Sequence, residues 1–352
     1  MRKIIAVILL IGAAILYVVL FLHPTPVSKK TTTLSPATTQ QPAPSTAIVE
    51  TTLFVPYWSE DTINSGYSTY VYFGITPTVD GISTKDDGYG GIPSFVAATQ
   101  GSTTLLTVRM LPGDTTENIL QNNASQDAVI QDSIDIAKQN GFDGIVLDLE
   151  YSGLAFPSVT QSITDFSKTF ADKVKTAHLS FYQTLFGDTF YLARPYNVTA
   201  IAKNADGIFV LAYDFHKANG TPGTNFPFES YADADYNFVQ MVKDFGKQVA
   251  KEKLTIIFGM FGYDWTIDQQ GRPIHAAESL TTNEMLSKFS SCHLKDCKVV
   301  THPEGEIEAT YTDSANQGHD VWFENLTSVE YKKQFLQKNG ISKIGFWANG
   351  YF

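Results

Sequence analysis

Cysteine is nearly absent: the 352 residues contain two, Cys292 and Cys297, too few for a disulfide framework or a Cys-rich metal domain. They lie five apart in SCHLKDC, with no second cluster at ligand spacing, which predicts a local disulfide in an exported chain and no metal site. Charge is also scarce, at 17% of residues, and its net value is -11. Residues 1 to 48 carry Arg2, Lys3, Lys29 and Lys30 and no acid, so the remainder is more acidic than the whole. A body of that sign repels phosphate backbones and excludes a nucleic-acid partner. No Gly-rich phosphate loop follows an early strand, no solenoid or propeller repeat is present, and no organic cofactor is expected.

What the chain does contain begins with nineteen uncharged, mostly aliphatic residues, Ile4 to Leu22, preceded by Arg2 and Lys3. That length suits a bilayer-spanning helix. The run ends in Phe21-Leu22-His23-Pro24 rather than at a small-x-small cleavage site, which favours an uncleaved anchor over a signal peptide. With no cysteine directly following the run, a lipoprotein anchor is excluded. Residues 23 to 48 are rich in Pro, Thr and Ser and read as an extended linker. The expectation is therefore a membrane anchor (1 to 22), a stalk, and an extracytoplasmic domain from residue 49.

Within that domain, apolar and β-branched runs recur at 52–58, 67–75, 102–110, 145–150, 179–187, 206–213, 254–263 and 343–352. Helical periodicity separates several of them, over Thr116 to Asn140 and through Phe166, Phe170 and Val174. Eight strands, mostly followed by helices, predict a (β/α)8 TIM barrel, with an open doubly wound sheet as the alternative. A polar stretch from Thr266 to Asp320, holding both cysteines, reads as a small insertion between the seventh and eighth strands. Asn-x-Ser/Thr sequons start at Asn123, Asn197, Asn219 and Asn325.

The most informative stretch is GFDGIVLDLE, Gly141 to Glu150. As a strand it sends Ile145, Leu147 and Leu149 to one face and Val146, Asp148 and Glu150 to the other. Two carboxylates at the end of an apolar strand are costly unless hydrogen-bonded or used. The other strand ends read Tyr57-Trp58, Tyr213-Asp214, Tyr263-Asp264-Trp265 and Trp347, and a barrel places its chemistry at those ends. Acids surrounded by aromatics suit cleavage of a glycosidic bond. One acid protonates the leaving oxygen, while the flat apolar faces of sugars stack on Trp and Tyr. By this reading Trp58, Trp265 and Trp347 face ligand, and Phe54, Phe73 and Phe258 pack the barrel.

The segment Phe142-Asp143-Gly144-Ile145-Val146-Leu147-Asp148-Leu149-Glu150 resembles the D-G-x-D-x-D-x-E signature of family 18 glycoside hydrolases, the chitinase-like enzymes. Leu211-Ala212-Tyr213-Asp214 resembles their M-x-Y-D, FGMFGYDW (258–265) their seventh-strand segment, and residues 319 to 350 their closing helix and eighth strand. The resemblance implies retaining, substrate-assisted hydrolysis of a β-linked N-acetylglucosamine polymer, chitin-like or peptidoglycan. It implies Glu150 as acid and then base, Asp148 as holder of the acetamido N–H, and Tyr213 as donor to the acetamido oxygen. Trp347 and Asp214 are implied sugar contacts, with Tyr57, Trp58, Tyr263 and Trp265 as further binding residues. The pattern is broken twice: Val146 replaces the middle acid, and Thr107-Val108-Arg109-Met110 replaces S-x-G-G on the third strand. Thr107 or Tyr57 is then expected to supply the missing hydrogen bond to Asp148. The alternative is a lectin-like protein that binds N-acetylated glycan without turnover, and a third reading is a structural envelope protein.

Overall fold

The computed structural model describes residues 47–60, 62–151, 153–228 and 236–352. The expected anchor and nearly all of the linker lie outside the described residues, and among those described no helix is long and apolar enough to cross a membrane. The first seven apolar runs form β1 (Glu50–Pro56), β2 (Thr69–Ile75), β3 (Thr103–Met110), β4 (Gly144–Leu149), β5 (Ser180–Phe186), β6 (Gly207–Ala212) and β7 (Leu254–Gly259). An insertion supplies β8 (Phe261–Ile267), β9 (Glu278–Thr281), β10 (Lys295–Thr301), β11 (Ile307–Thr312) and β12 (Gly318–Phe323), and β13 (Lys343–Trp347) follows it. The eight barrel strands close in the order β1-β13-β7-β6-β5-β4-β3-β2, every pair parallel. The protein is a (β/α)8 barrel.

Two-residue alternation divides each strand between two cores. Phe54, Val71, Phe73, Leu105, Val146, Phe209, Leu211 and Ile257 fill the barrel interior, whereas Ile145, Leu147 and Leu149 of β4 pack outward against helices. Helices α1 (Asp87–Gly90) and α2 (Ile92–Ala98) follow β2; α3 (Asp114–Gln121) and α4 (Asn123–Gln139) follow β3; α5 (Pro157–Thr176) follows β4. Helices α6 (Val198–Asn204) and α7 (Phe238–Gln248) follow β5 and β6, and α8 (Thr282–Phe289) and α9 (Leu326–Lys338) lie beyond β7. Helix α5 begins with Pro157, whose missing N–H costs nothing there, and buries Ile163, Phe166, Phe170 and Val174 along one stripe. Each such phenylalanine removed from water contributes about 1.5–3 kcal/mol. The helical period over Thr116 to Asn140 is two helices rather than one. Asn122 ends α3 and caps α4, its side chain accepting from the N–H groups of Ala124 and Ser125.

The insertion is larger than expected and starts earlier. The apolar run 254–263 breaks at Met260, whose N–H donates to the Trp347 carbonyl at 2.7 Å. Beyond the break the chain enters a separate antiparallel sheet, ordered β9-β8-β12-β11-β10. Gly262 is required where β8 meets β12, since a Cβ there would lie 2.1 Å from the Trp322 carbonyl oxygen. Cys292 and Cys297 form the predicted disulfide, with Cα atoms 6.3 Å apart, which links the turn after α8 to β10. Asn325, the last sequon, is unavailable for modification: it is buried, caps α9, and donates from Nδ2 to the Gly305 carbonyl.

A fully buried ion triad ties the insertion to the barrel. Lys332 of α9 contacts Glu306 at 2.8 Å and Glu324 at 2.7 Å. Glu306 also accepts from the backbone N–H of Asn225, in the loop after β6. Removing the cation strands two carboxylates in a dry site. Lys332→Ala is therefore expected to lose about 3–5 kcal/mol of stability, read as a lowered midpoint in urea unfolding; a midpoint within error of the parent's would contradict this.

Candidate active site

Val146 and Asp148 on the inward face of β4, and Glu150 immediately past its end, follow one another at two-residue spacing. Val146 lies within the apolar interior layer, and Asp148 sits above it, near the barrel mouth. Asp148 is 3% exposed and is held from the side: the Thr184 hydroxyl of β5 donates to its Oδ1 at 2.5 Å. Neither Thr107 nor Tyr57 makes the bond expected of it. The Thr107 hydroxyl is buried without a hydrogen-bond partner, and Tyr57 packs against the outer core. Glu150 is fixed through its backbone, whose N–H donates to the Met110 carbonyl at 2.9 Å. Tyr196 pins the residues on either side, its hydroxyl donating to the Leu149 carbonyl and accepting from the Tyr151 N–H, both at 2.9 Å.

Asp148 and Glu150 line a cavity of about 170 Å3 together with Thr184, Tyr213, Asp214 and Trp347. Phe54, Phe73, Leu211 and Phe261 complete its wall. Trp347 forms a slab wedged against Phe73 (4.4 Å between ring centres) and Phe54 (5.8 Å), and its peptide bond to Ala348 is cis. Asp214 adopts φ +59°, unusual for a residue with a side chain. Two bonds hold it there: its N–H donates to Asn225 Oδ1 at 2.8 Å, and the Tyr263 hydroxyl donates to its Oδ1 at 2.7 Å. Asn225 is itself anchored by donation to the carbonyls of Gly259 and Phe261.

Electrostatics separate Asp148 from Glu150. Burial, followed by the charges of Asp148 and Asp214, pushes Glu150 up to about 7; Lys217 and Arg109 oppose the rise. Burial also pushes Asp148 up, to about 6, against the Thr184 hydrogen bond and the Arg109 charge. Of the two, Glu150 is the one that keeps its proton to higher pH, beside an Asp148 that ionises first, the division of labour an acid and its electrostatic helper require. Tyr213 is held well above its ordinary value by burial and by the same two carboxylates, so it remains a hydroxyl donor.

The aromatics divide differently from the sequence expectation. Trp347 lines the cavity. Trp265 does not: it is fully buried and packs on Tyr263, because β8 alternates with respect to the insertion sheet rather than the barrel. Phe261, Tyr263, Trp265 and Trp322 form a cluster that backs onto Tyr213 and Trp347. Tyr263 accordingly supports Asp214. Trp58, half exposed, stands outside the cavity wall, edge-on to Tyr57 at 4.9 Å. Thr184, Asn225, Phe261 and Arg109 were absent from the sequence expectation. Only Arg109 carried a signal, as a charge on the inward face of an apolar strand.

Residues 55–351 match the model of Glycosyl hydrolases family 18. The chain is 24% identical over 306 residues to the cortical fragment-lytic enzyme of Bacillus cereus, covering 82% of this chain and 66% of that one. It is 21% identical over 243 residues to the di-N-acetylchitobiase of Mus musculus, covering 62% and 63%. Among solved structures, catalytic domain 2 of the Ostrinia furnacalis Group II chitinase superposes with TM-score 0.71 at 17% identity, over 85% of this chain and 89% of that one. The first three curated relatives are spanned over only 52%, 66% and 63% of their length.

Proposed function

Because the chain belongs to glycosyl hydrolases family 18, we propose that it hydrolyses a β-linked, N-acetylglucosamine-containing polysaccharide by a retaining, substrate-assisted reaction. The observation that carries this reading is the Thr184 bond to Asp148. With Val146 beneath it, Asp148 has lost the acidic neighbour of the family signature, yet it is still fixed beside a Glu150 whose proton is retained to about pH 7.

Thr184 occupies Oδ1 of Asp148, which leaves Oδ2 to accept the N–H of the sugar's 2-acetamido group. Held so, the acetamido oxygen attacks the anomeric carbon while Glu150 protonates the departing glycosidic oxygen. The C1–O bond breaks, and the ring closed between the acetamido oxygen and C1 carries the positive charge, balanced by Asp148. Tyr213 donates to the acetamido oxygen, and Trp347 stacks under the sugar. Glu150, now ionised, takes a proton from water, which opens the oxazolinium with net retention at C1. Relatives described as a cortical fragment-lytic enzyme and a di-N-acetylchitobiase support both a bacterial cell-wall glycan and a chitin-like oligomer as substrate. The apolar residues 4–22 support attachment of the domain to a membrane, facing away from the cytoplasm.

The test is release of reducing ends from N-acetylglucosamine oligomers and from peptidoglycan by the full chain in washed membranes. Activity recovered only in the soluble fraction overturns the anchor, and its absence from both fractions overturns the hydrolase. The working form needs Glu150 protonated and Asp148 ionised. We expect kcat/KM to fall above about pH 7 as Glu150 loses its proton, and below about pH 6 as Asp148 gains one. A plateau reaching down to pH 4, the range of ordinary carboxylates, would contradict that assignment.

A further inference from the structure

Arg109 occupies the third position of Thr107-Val108-Arg109-Met110, on the inward face of β3 at the barrel mouth, in register with Asp148. Its guanidinium lies over the ring of Phe73 at 4.3 Å, and Phe73 is in the wall of the cavity that holds Asp148 and Glu150. Its charge acts on both acids, but no ion pair or hydrogen bond to it is formed among the described residues, and its Nε is buried without a partner. A second cavity, of about 270 Å3, is lined by Arg109 together with Thr76, Leu111 and Thr116, with Asp114 the one acid of its wall.

A guanidinium stacked on an aromatic ring has its orientation fixed and its donors directed at whatever enters beside it. Its Nε is sealed from solvent, so a ligand acceptor would meet the terminal Nη groups, which are not among the buried orphan atoms. The geometry of this donor fork fits a carboxylate, taken by two parallel N–H···O bonds. A cation with no ion pair or hydrogen bond beside the reacting centre is available to a negative group on the substrate.

We infer that Arg109 is a specificity-determining residue that recognises a carboxylate substituent on a sugar bound next to the cleavage point. The preferred substrate is then an N-acetylated glycan with acidic side groups, ahead of the neutral polymer. The inference rests on the hydrolase reading above, and it names the substrate class for that same site.

The test compares kcat/KM on peptide-free peptidoglycan glycan strands, whose alternate sugars carry a lactyl carboxylate, with the same strands after carbodiimide activation and borohydride reduction to the alcohol. For the parent protein the ratio of the two is expected to exceed about 10, as charge-assisted bonds of about 1.5–3 kcal/mol require. Arg109→Gln is expected to lower that ratio by about 10- to 100-fold, with Arg109→Lys between the two because it keeps the charge and loses the fork. Any unfolded fraction, and any effect of the variant on Glu150, cancels in the ratio. A parent ratio near unity overturns the inference, as does a ratio unchanged in Arg109→Gln, which would mean that Arg109 acts only through the two acids. If neither glycan is cleaved, the hydrolase reading fails. The ratio of dissociation constants for the same two glycans, measured by calorimetry on parent and Arg109→Gln, then decides the inference separately.

Discussion

Glu150→Gln is expected to lower kcat on N-acetylglucosamine oligomers by about 10²- to 10⁴-fold, the usual contribution of a positioned general acid, while leaving the affinity for those oligomers nearly unchanged. The amide keeps the size and hydrogen-bonding reach of the carboxylic acid and removes only the transferable proton. The fold is not expected to suffer. Glu150 is pushed up to about 7 in the folded chain by burial, above its value of about 4.3 when unfolded. Between those pH values the folded state binds more protons than the unfolded one, so its stability falls as pH rises through the window. A neutral glutamine removes that penalty. The variant should therefore melt no earlier than the parent at pH 8, and kcat within tenfold of the parent's would remove Glu150 from the acid role.

Asp148→Asn is expected to cost about 10²- to 10³-fold in kcat, the range for losing one preorganised electrostatic contact to a charge that develops in the transition state. The Thr184 hydroxyl still has an oxygen to donate to, so the side chain stays in place. What disappears is the negative charge beside the forming oxazolinium. A second readout separates this loss from simple disorder. The Asp148 charge is one of the causes that raise Glu150, so its removal should move the alkaline limb of the pH profile to lower pH. An alkaline limb that does not move would show that the two carboxylates are uncoupled and that Asp148 acts only as a structural residue.

The barrel was legible because its signal is local. Apolar runs of strand length, separated by helical periods, recur along the chain, and alternation alone sends Asp148 and Glu150 to the face opposite Leu147 and Leu149. The end of an apolar run is less informative than its body. Residues 254–263 form one continuous run, and nothing in their alternation marks Met260 as the point where the chain leaves the barrel. Trp265 was placed at the mouth for that reason and is in fact buried under the insertion sheet. Thr184 carries no signal in the sequence because its role depends on the lateral register of β4 against β5, which pairs Leu147 with Gln183 and so brings the next residues, Asp148 and Thr184, together. No pattern within either strand encodes that pairing.

The same register accounts for Val146. The family signature places an acid there, and its loss puts the orientation of Asp148 in question. The structure supplies the support from a neighbouring strand, and the space below is filled by the apolar layer of Phe54, Leu105 and Phe209. The insertion contributes in a comparable way. Tyr263 reaches Asp214 from β8, and the Lys332 triad fixes the loop that carries Asn225. Much of the site's rigidity thus comes from residues that never meet the substrate.

In the proposed reaction the substrate's own acetamido group, held by Asp148, attacks the anomeric carbon. Proton NMR of the first product released from an N-acetylglucosamine oligomer, recorded before mutarotation, tests it most directly. The β-anomer is the expected result, because two successive displacements at C1 restore the starting configuration. Initial release of the α-anomer would mean a single displacement by water and would rule out attack by the acetamido group.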